Sequence, residues 1–392
     1  MIRFIHTADW QIGKPFARVA DAEKRARLRQ ARVEAIRRIG EVVREGQVSF
    51  VLVAGDLFDS TTPDHSTVSA ACQAIGAIGV PVLAIPGNHD HAGPGSIWEQ
   101  DFFLREQRQL ATNFRLLAQP EPVEICGAII LPCPLLRKQE PETTTSWLRS
   151  ASAWEDAGNR PRIVLAHGSV QGFASVSDDE ESGDQPNFID LQQLDSASVD
   201  YIALGDWHGT KQVGEKAWYS GTPELDRFVK GGDHNPGNVL LVEIPGRGQM
   251  PTAAAIRTAR LGWHDETFSL VDDSSLTHLE AQLAGILGQR TQEDLLRLTL
   301  EGALGFAGDK RLHEMIESLE ARLLRLKFDN KVQVLPSESE IAQLTGRSGD
   351  PLISAIAARL MDEQQQPEAP AGTARRALRE LYVAVGQCGG IE

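Results

Sequence analysis

The chain has 392 residues, 41% of them hydrophobic and 24% charged, with a formal net charge of −15. Such a composition is that of a globular protein with room for about two domains. It excludes a protein that coats nucleic acid by bulk electrostatics, because such binding rests on Lys and Arg neutralising phosphates. It leaves room for a local basic groove and suits a site that gathers divalent cations. No apolar run is long enough to span a bilayer. The first strand begins within a few residues of the start, leaving no space for a signal peptide. The four cysteines, Cys72, Cys126, Cys133 and Cys388, show neither metal spacing nor a disulfide framework. Together these features predict a cytoplasmic protein with reduced thiols.

In chain order, Ile2–Thr7 reads as a strand ending in Ala8-Asp9-Trp10-Gln11-Ile12-Gly13. A helix over Asp21–Glu45, closed by Gly46, follows. Phe50–Val53 is a buried strand that ends at Gly55-Asp56-Leu57-Phe58-Asp59. A helix over Asp64–Gly79 leads to Pro81–Ile85, a third apolar strand, which Pro86-Gly87 stops before Asn88-His89-Asp90-His91. This alternation predicts a parallel α/β core.

A helix at Asp101–Leu110, short strands at Phe114–Leu117, Val123–Cys126 and Ala128–Leu131, and a helix at Thr145–Ala157 come next. Ile163–Ala166 ends at His167-Gly168, and Tyr201–Leu204 ends at Gly205-Asp206-Trp207-His208. The acidic run Ser177–Asp184 between them reads as a solvated loop. Strands near Trp218 and at Asn238–Ile244 close the first domain, residues 1–260.

Residues 261–340 form a small βαβαβ unit: strand Glu266–Val271, helix Ser275–Leu287, strand Leu295–Leu300, helix Asp309–Leu326 and strand Lys331–Leu335. Within residues 341–392, Asp350-Pro351 starts a helix whose apolar face is Ile353, Ile356, Ala357 and Leu360. A polar linker at Gln364–Gly372 precedes a last amphipathic helix over Thr373–Val385.

Five strand ends thus carry candidate ligands: Asp9 and Gln11; Asp56; Asn88 and His89; His167; Asp206 and His208. In a parallel sheet these ends converge on one rim. Carboxylate, amide and imidazole form a mixed oxygen and nitrogen set that suits Mn, Fe or Zn. Two cations about 3.5–4 Å apart are the usual clamp for phosphate-ester hydrolysis, and Asp56 is the natural bridge. Each residue alone has an ordinary reading, as a helix cap, a core histidine or a turn.

These motifs resemble the five signatures of calcineurin-like metallophosphoesterases. His6-Thr7-Ala8-Asp9-Trp10 with Gly55-Asp56-Leu57-Phe58-Asp59 is similar, more narrowly, to SbcD-type DNA repair nucleases. The resemblance covers about the first 245 residues and implies an α/β sandwich of two sheets flanked by helices, with a small α+β capping domain and C-terminal helices. It implies one metal held by Asp9, Gln11, Asp56 and His208 and a second held by Asp56, Asn88, His167 and Asp206. His89 would face the scissile phosphate, with Asp59 and Asp90 supporting the ligands.

Where the family carries His, this chain has Gln11 and Asp206. Both changes exchange nitrogen for oxygen and favour Mn²⁺ over Zn²⁺. Lys14 and Tyr219 are candidate substrate contacts, the latter in a loop, Tyr219–Pro223, that also reads as a hairpin turn. The basic first helix, with Lys24, Arg25, Arg27, Arg29, Arg32, Arg37 and Arg38, reads as a solvated face rather than a phosphate contact.

The implied function is a Mn²⁺-dependent DNA nuclease acting with an SbcC-like coiled-coil ATPase on which the C-terminal helices dock. The resemblance also implies a homodimer. Two other readings are a small-substrate phosphoesterase, which the acidic charge favours, and a scaffold subunit with a weakened site, which Gln11 favours.

Overall fold

A computed structural model of the chain describes residues 1–149, 158–172, 187–194, 198–229, 234–288, 291–335, 337–347, 349–365 and 371–387. The acidic run at 177–184, the greater part of the expected helix at 145–157, the centre of the linker and Cys388 lie outside the described residues. The chain forms two compact units, Met1–Leu261 and Gly262–Glu392. No described helix is long and apolar enough to cross a membrane.

The first unit contains β1 (Ile2–Thr7), α1 (Ala22–Gly46), β2 (Phe50–Ala54), α2 (His65–Gly76), β3 (Val82–Ile85), α3 (Asp101–Leu110), β4 (Phe114–Leu116), β5 (Val123–Ile125), β6 (Ala128–Cys133), β7 (Arg162–His167), β8 (Tyr201–Gly205), β9 (Lys211–Gln212), β10 (Ala217–Tyr219), β11 (Asn238–Ile244) and β12 (Thr252–Arg257). They build two six-stranded sheets, ordered β12-β11-β1-β2-β3-β4 and β5-β6-β7-β8-β10-β9. Strands β1 to β4 run parallel, as do β6, β7, β8 and β10. The fold is the mixed α/β sandwich of two helix-flanked sheets.

Strands β2 and β3 are buried along their whole length, because one face meets helices and the other meets the second sheet. Between the sheets, Phe4, Phe50, Leu52 and Leu83 pack with Ile130, Ile163, Leu165 and Tyr201. Each aliphatic side chain so buried contributes about 1.5–3 kcal/mol. The outer face of the first sheet packs on α1 to α3 through Ile36, Ile39, Val68, Ile75 and Phe103.

One polar pair bolts the sheets together. His6 on β1 lies with Nδ1 2.9 Å from the Tyr201 hydroxyl and Nε2 3.1 Å from the Leu204 carbonyl, both on β8. The carbonyl only accepts, so Nε2 carries the proton and Nδ1 accepts from Tyr201. Burial pushes the His6 pKa down to about 3, so the ring is neutral.

Several boundaries differ from the sequence reading. Asp21 and Asp64 are N-caps, accepting from Glu23 and Lys24 N–H and from Thr67 N–H. Gly46 is the last residue of α1, and Gln47 takes the left-handed turn at φ 51°. Of the helix expected at 145–157, the described part is a 3₁₀ turn, Ser146–Arg149. Strand β12 and the short strand β9 were not expected.

The second unit comprises β13 (Gly262–Leu270), α4 (Ser275–Leu287), β14 (Asp294–Leu304), α5 (Phe306–Arg322), β15 (Arg325–Val334), α6 (Glu338–Thr345), α7 (Pro351–Gln365) and α8 (Ala371–Gln387). Its three strands are parallel, in the order β13-β14-β15. Leu326, expected in a helix, stands in β15, and α5 starts before Asp309. Gln364–Gln365 and Ala371–Gly372, expected in the linker, are helical. Phe306, Leu344, Ala357, Leu378 and Val385 form a core that joins α5, α6, α7 and α8. Ile356, expected on the apolar face of α7, is 40% exposed.

Candidate metal centre

The parallel registers align the strand ends: Thr7 lies beside Val53, Ala54 beside Ile85 and His167 beside Gly205. Because the two sheets stack, the two rims also meet. The loop after β1 is laced to the loop after β2 by Asp9 N–H to Gly55 O (3.1 Å) and Gln11 N–H to Asp56 O (2.9 Å). Close approach explains the motif glycines. A Cβ on Gly55, whose φ is +88°, would stand 2.2 Å from His167 Nδ1, and one on Gly87 would stand 2.1 Å from Asp56 Oδ1. Four site residues themselves hold left-handed backbones: Asp9 (φ 54°), Gln11 (41°), Asp56 (55°) and Asp206 (101°). Each such conformation costs about 1–3 kcal/mol and persists only where its surroundings enforce it.

Asp9, Asp56 and His167 converge, each offering a ligand atom within 4.8 Å of the others, and all three are buried. His167 Nε2 lies 3.3 Å from Asn88 Oδ1, 3.6 Å from Asp56 Oδ1 and 3.9 Å from Asp206 Oδ1. Ligands about 2.1 Å from a common ion stand at such spacings from one another. The Ala54 carbonyl accepts from His167 Nδ1 (2.8 Å), which leaves the Nε2 lone pair for a cation. This half of the site fits a divalent ion.

The other half is built differently. Lys14 Nζ donates to Gln11 Oε1 (2.7 Å) and stands 3.2 Å from Asp226 Oδ2 and 3.5 Å from Asp59 Oδ1. Gln11 Nε2 faces His208 Nε2 at 3.4 Å. His208 Nδ1 lies 3.2 Å from Asp226 Oδ2, with Arg227 Nη2 3.3 Å away. Among the described residues, His208 does not join the converging group of Asp9, Asp56 and His167.

The chain matches the calcineurin-like phosphoesterase family over residues 2–235. The chain is a calcineurin-like phosphoesterase. Membership implies a metal-dependent hydrolase. One solved crystal structure aligns with 65% of this chain and 98% of its own length, at 13% identity and a TM-score of 0.38. A likeness of that size carries no argument.

The electrostatics of the phosphoesterase site are those of crowded acids. Burial raises the Asp9 pKa well above the usual carboxylate range, with Asp56 and Asp206 adding to the effect and His167 opposing it. Burial alone would lower the His167 pKa, but Asp56, Asp9 and Asp206 outweigh it and push it up to about 9. A cation in this place would take over the charge that the carboxylates otherwise ask of the imidazole. Burial pushes His208 down to about 4, against Asp226, so its ring is neutral.

The remaining expected residues take the following places. His89 is the open member, its side chain 39% exposed. Its N–H donates to Asp56 Oδ1 (2.9 Å) and its Nδ1 to the Asp59 carbonyl (3.0 Å), which fixes the ring with Nε2 4.0 Å from Asp56 Oδ2. Asp59 therefore orients His89 through its main chain, while its carboxylate lies near Lys14. Asp90 is fully buried and accepts from Leu57, Phe58 and Gly87 N–H at 2.7–3.0 Å, which ties the β2 and β3 loops together. Burial and the Asp56 charge push its pKa up to about 7, against those donors.

Three expectations need correction. Tyr219 is fully buried and its hydroxyl donates to the Gly168 carbonyl (2.7 Å), so it braces the β7 loop and offers substrate nothing. Lys14 is engaged with Gln11 and two acids rather than free for a phosphate. Arg32 is 2% exposed and is no part of a solvated face. Its guanidinium donates to the carbonyls of Trp10 (2.7 Å), Asp9 (3.0 Å) and Glu224 (3.1 Å), and to Thr222 Oγ1 (3.1 Å). Thr222 in turn donates to the Asp9 carbonyl (2.9 Å), so the Tyr219–Pro223 loop and α1 clamp the first motif from behind.

Asp226 was missed by the sequence reading. It follows no strand end and belongs to no motif, so only its burial beside His208 marks it. Arg32 carried one signal, its place among Leu28, Ala31, Ile36 and Ile39 on the apolar stripe of α1.

Proposed function

We propose that this phosphoesterase is a Mn²⁺-dependent nuclease of the SbcD type that hydrolyses DNA phosphodiesters in repair or end processing, with an SbcC-like ATPase as its partner. The observation that carries the hydrolytic part is the convergence of Asp9, Asp56 and His167 beside the partly exposed ring of His89. The nuclease part is supported by the motifs His6–Trp10 and Gly55–Asp59, by the small βαβαβ unit as a capping domain, and by the C-terminal helices as a docking region. The oxygen-rich donors Asp9, Asp56, Asn88 and Asp206 favour Mn²⁺.

At the His167 half, a divalent cation would be held by Asp9, Asp56, Asn88, His167 and Asp206, and would supply an activated water and charge neutralisation. The rest falls to the chain. His89, fixed by the Asp59 carbonyl, presents Nε2 to a phosphoryl or leaving oxygen and stabilises the charge developing there. Asp90 and Arg32 hold the loops still.

Linear and hairpin DNA incubated with Mn²⁺ or Mg²⁺ tests the reading. Cleavage that prefers Mn²⁺ and falls steeply with salt is expected. His89→Ala should keep its metal and lose about 10²–10⁴-fold in turnover; normal turnover would sink the assignment. The second reading, a small-substrate phosphoesterase, is favoured by the net charge of −15. Hydrolysis of phosphomonoesters or cyclic nucleotides with no cleavage of DNA would establish it.

A further inference from the structure

The two halves of the centre are unequal, and the inequality lies in this chain's own residues. An ammonium donates only, so the Gln11 atom 2.7 Å from Lys14 Nζ has to be the amide oxygen. That oxygen is the one atom of Gln11 able to hold a metal. Its NH₂ group, a donor, is turned instead towards His208 Nε2. His208 Nε2 stands 3.4 Å from that amide, while its Nδ1 lies 3.2 Å from Asp226 Oδ2 and 3.3 Å from Arg227 Nη2. The Gln11 amide is thus engaged on its oxygen side by Lys14 and faces His208 on its nitrogen side.

The arrangement is local. Lys14 N–H donates to the Gln11 carbonyl (3.2 Å) in a tight turn through Gly13, whose φ is +92°. The turn brings side chains 11 and 14 close, while Gln11 N–H and Ile12 N–H are held by the Asp56 and Leu57 carbonyls. Lys14 Nζ then sits between Asp59 and Asp226, where positive charge is needed.

We propose that Lys14 takes the place of a second cation. The chain binds one divalent ion tightly, at the His167 half of the centre, and the Lys14 ammonium supplies the positive charge at the Gln11–His208 half. This rests on the metal dependence of the phosphoesterase reading, and not on DNA as substrate.

The test is a metal count on the full chain, stripped with chelator, reloaded with Mn²⁺ and desalted, with electron paramagnetic resonance alongside. The wild type should retain one Mn²⁺ per chain with an uncoupled spectrum. Lys14→Met, which keeps the stem and removes the charge, should retain two with a spin-coupled spectrum, its second ion binding at least about tenfold tighter than in the wild type. Gln11→His, which restores a nitrogen ligand, should also retain two, and carries the test alone if Lys14→Met fails to fold. Two coupled ions in the wild type, or a folded Lys14→Met that stays at one, would overturn the proposal. No bound ion in the wild type would overturn it together with the metal-dependent reading. One ion without DNA cleavage would support it while removing the nuclease.

Discussion

Both units place acids at the carboxyl ends of parallel strands, and the two sets behave in opposite ways. In the second unit, Asp273, just beyond β13, accepts from Gly305 and Gly308 N–H at 2.7 and 2.9 Å. Glu340 accepts from Ala307 N–H (3.0 Å) and closes a capping box with Ser337. These carboxylates are spent on the N-terminus of α5, where the helix dipole and free N–H groups welcome negative charge. In the first unit, Asp9, Asp56 and Asp206 face one another, with Asp206 N–H donating to Asp9 Oδ1 (3.1 Å). A strand-end acid is therefore a metal candidate when its neighbours are other acids, and a cap when they are backbone donors.

The sharpest way to break this contrast is Asp56→Asn. The amide oxygen can still accept from His89 N–H, so the loop survives while the charge is lost. Metal retention should fall, with hydrolysis down by about 10³-fold or more, whereas the metal-free protein should melt at a higher temperature because crowded acids are relieved. A lower melting temperature would mean that the acids are not in conflict. Arg32→Met comes next. It strips the buried Asp9, Trp10 and Glu224 carbonyls of a charged donor, at a cost of about 3–5 kcal/mol in urea unfolding. Arg32 being dispensable would show that the left-handed Asp9 needs no clamp. The smallest effect is expected of Asp273→Ala, about 1–3 kcal/mol for unsatisfied N–H groups, with metal content and hydrolysis unchanged. Loss of metal in that variant would erase the distinction between the two sets of acids.

The elements were legible because their signals are local. Apolar runs of four or five residues with Gly or Pro within the next two positions marked β2, β3, β7 and β8, and with them most of the rim. Strand β12, Thr252–Arg257, escaped because its three alanines and half-exposed edge give no strand pattern. Helix α6 escaped although Ser337 and Glu340 spell a capping box, since it spans only eight residues. At the centre, the residues that present themselves at strand ends were readable, whereas the allegiance of Lys14, the burial of Arg32 and Tyr219, and the presence of Asp226 were not.

By itself, then, the order of residues determined which segments become strands and helices and which polar groups stand at their ends, since those follow from neighbours a few positions away. Tertiary structure alone decided which groups meet. Arg32 reaches Glu224 across 192 positions and Gln11 reaches His208 across 197, and such pairs exist only once two sheets have stacked and buried the space between them.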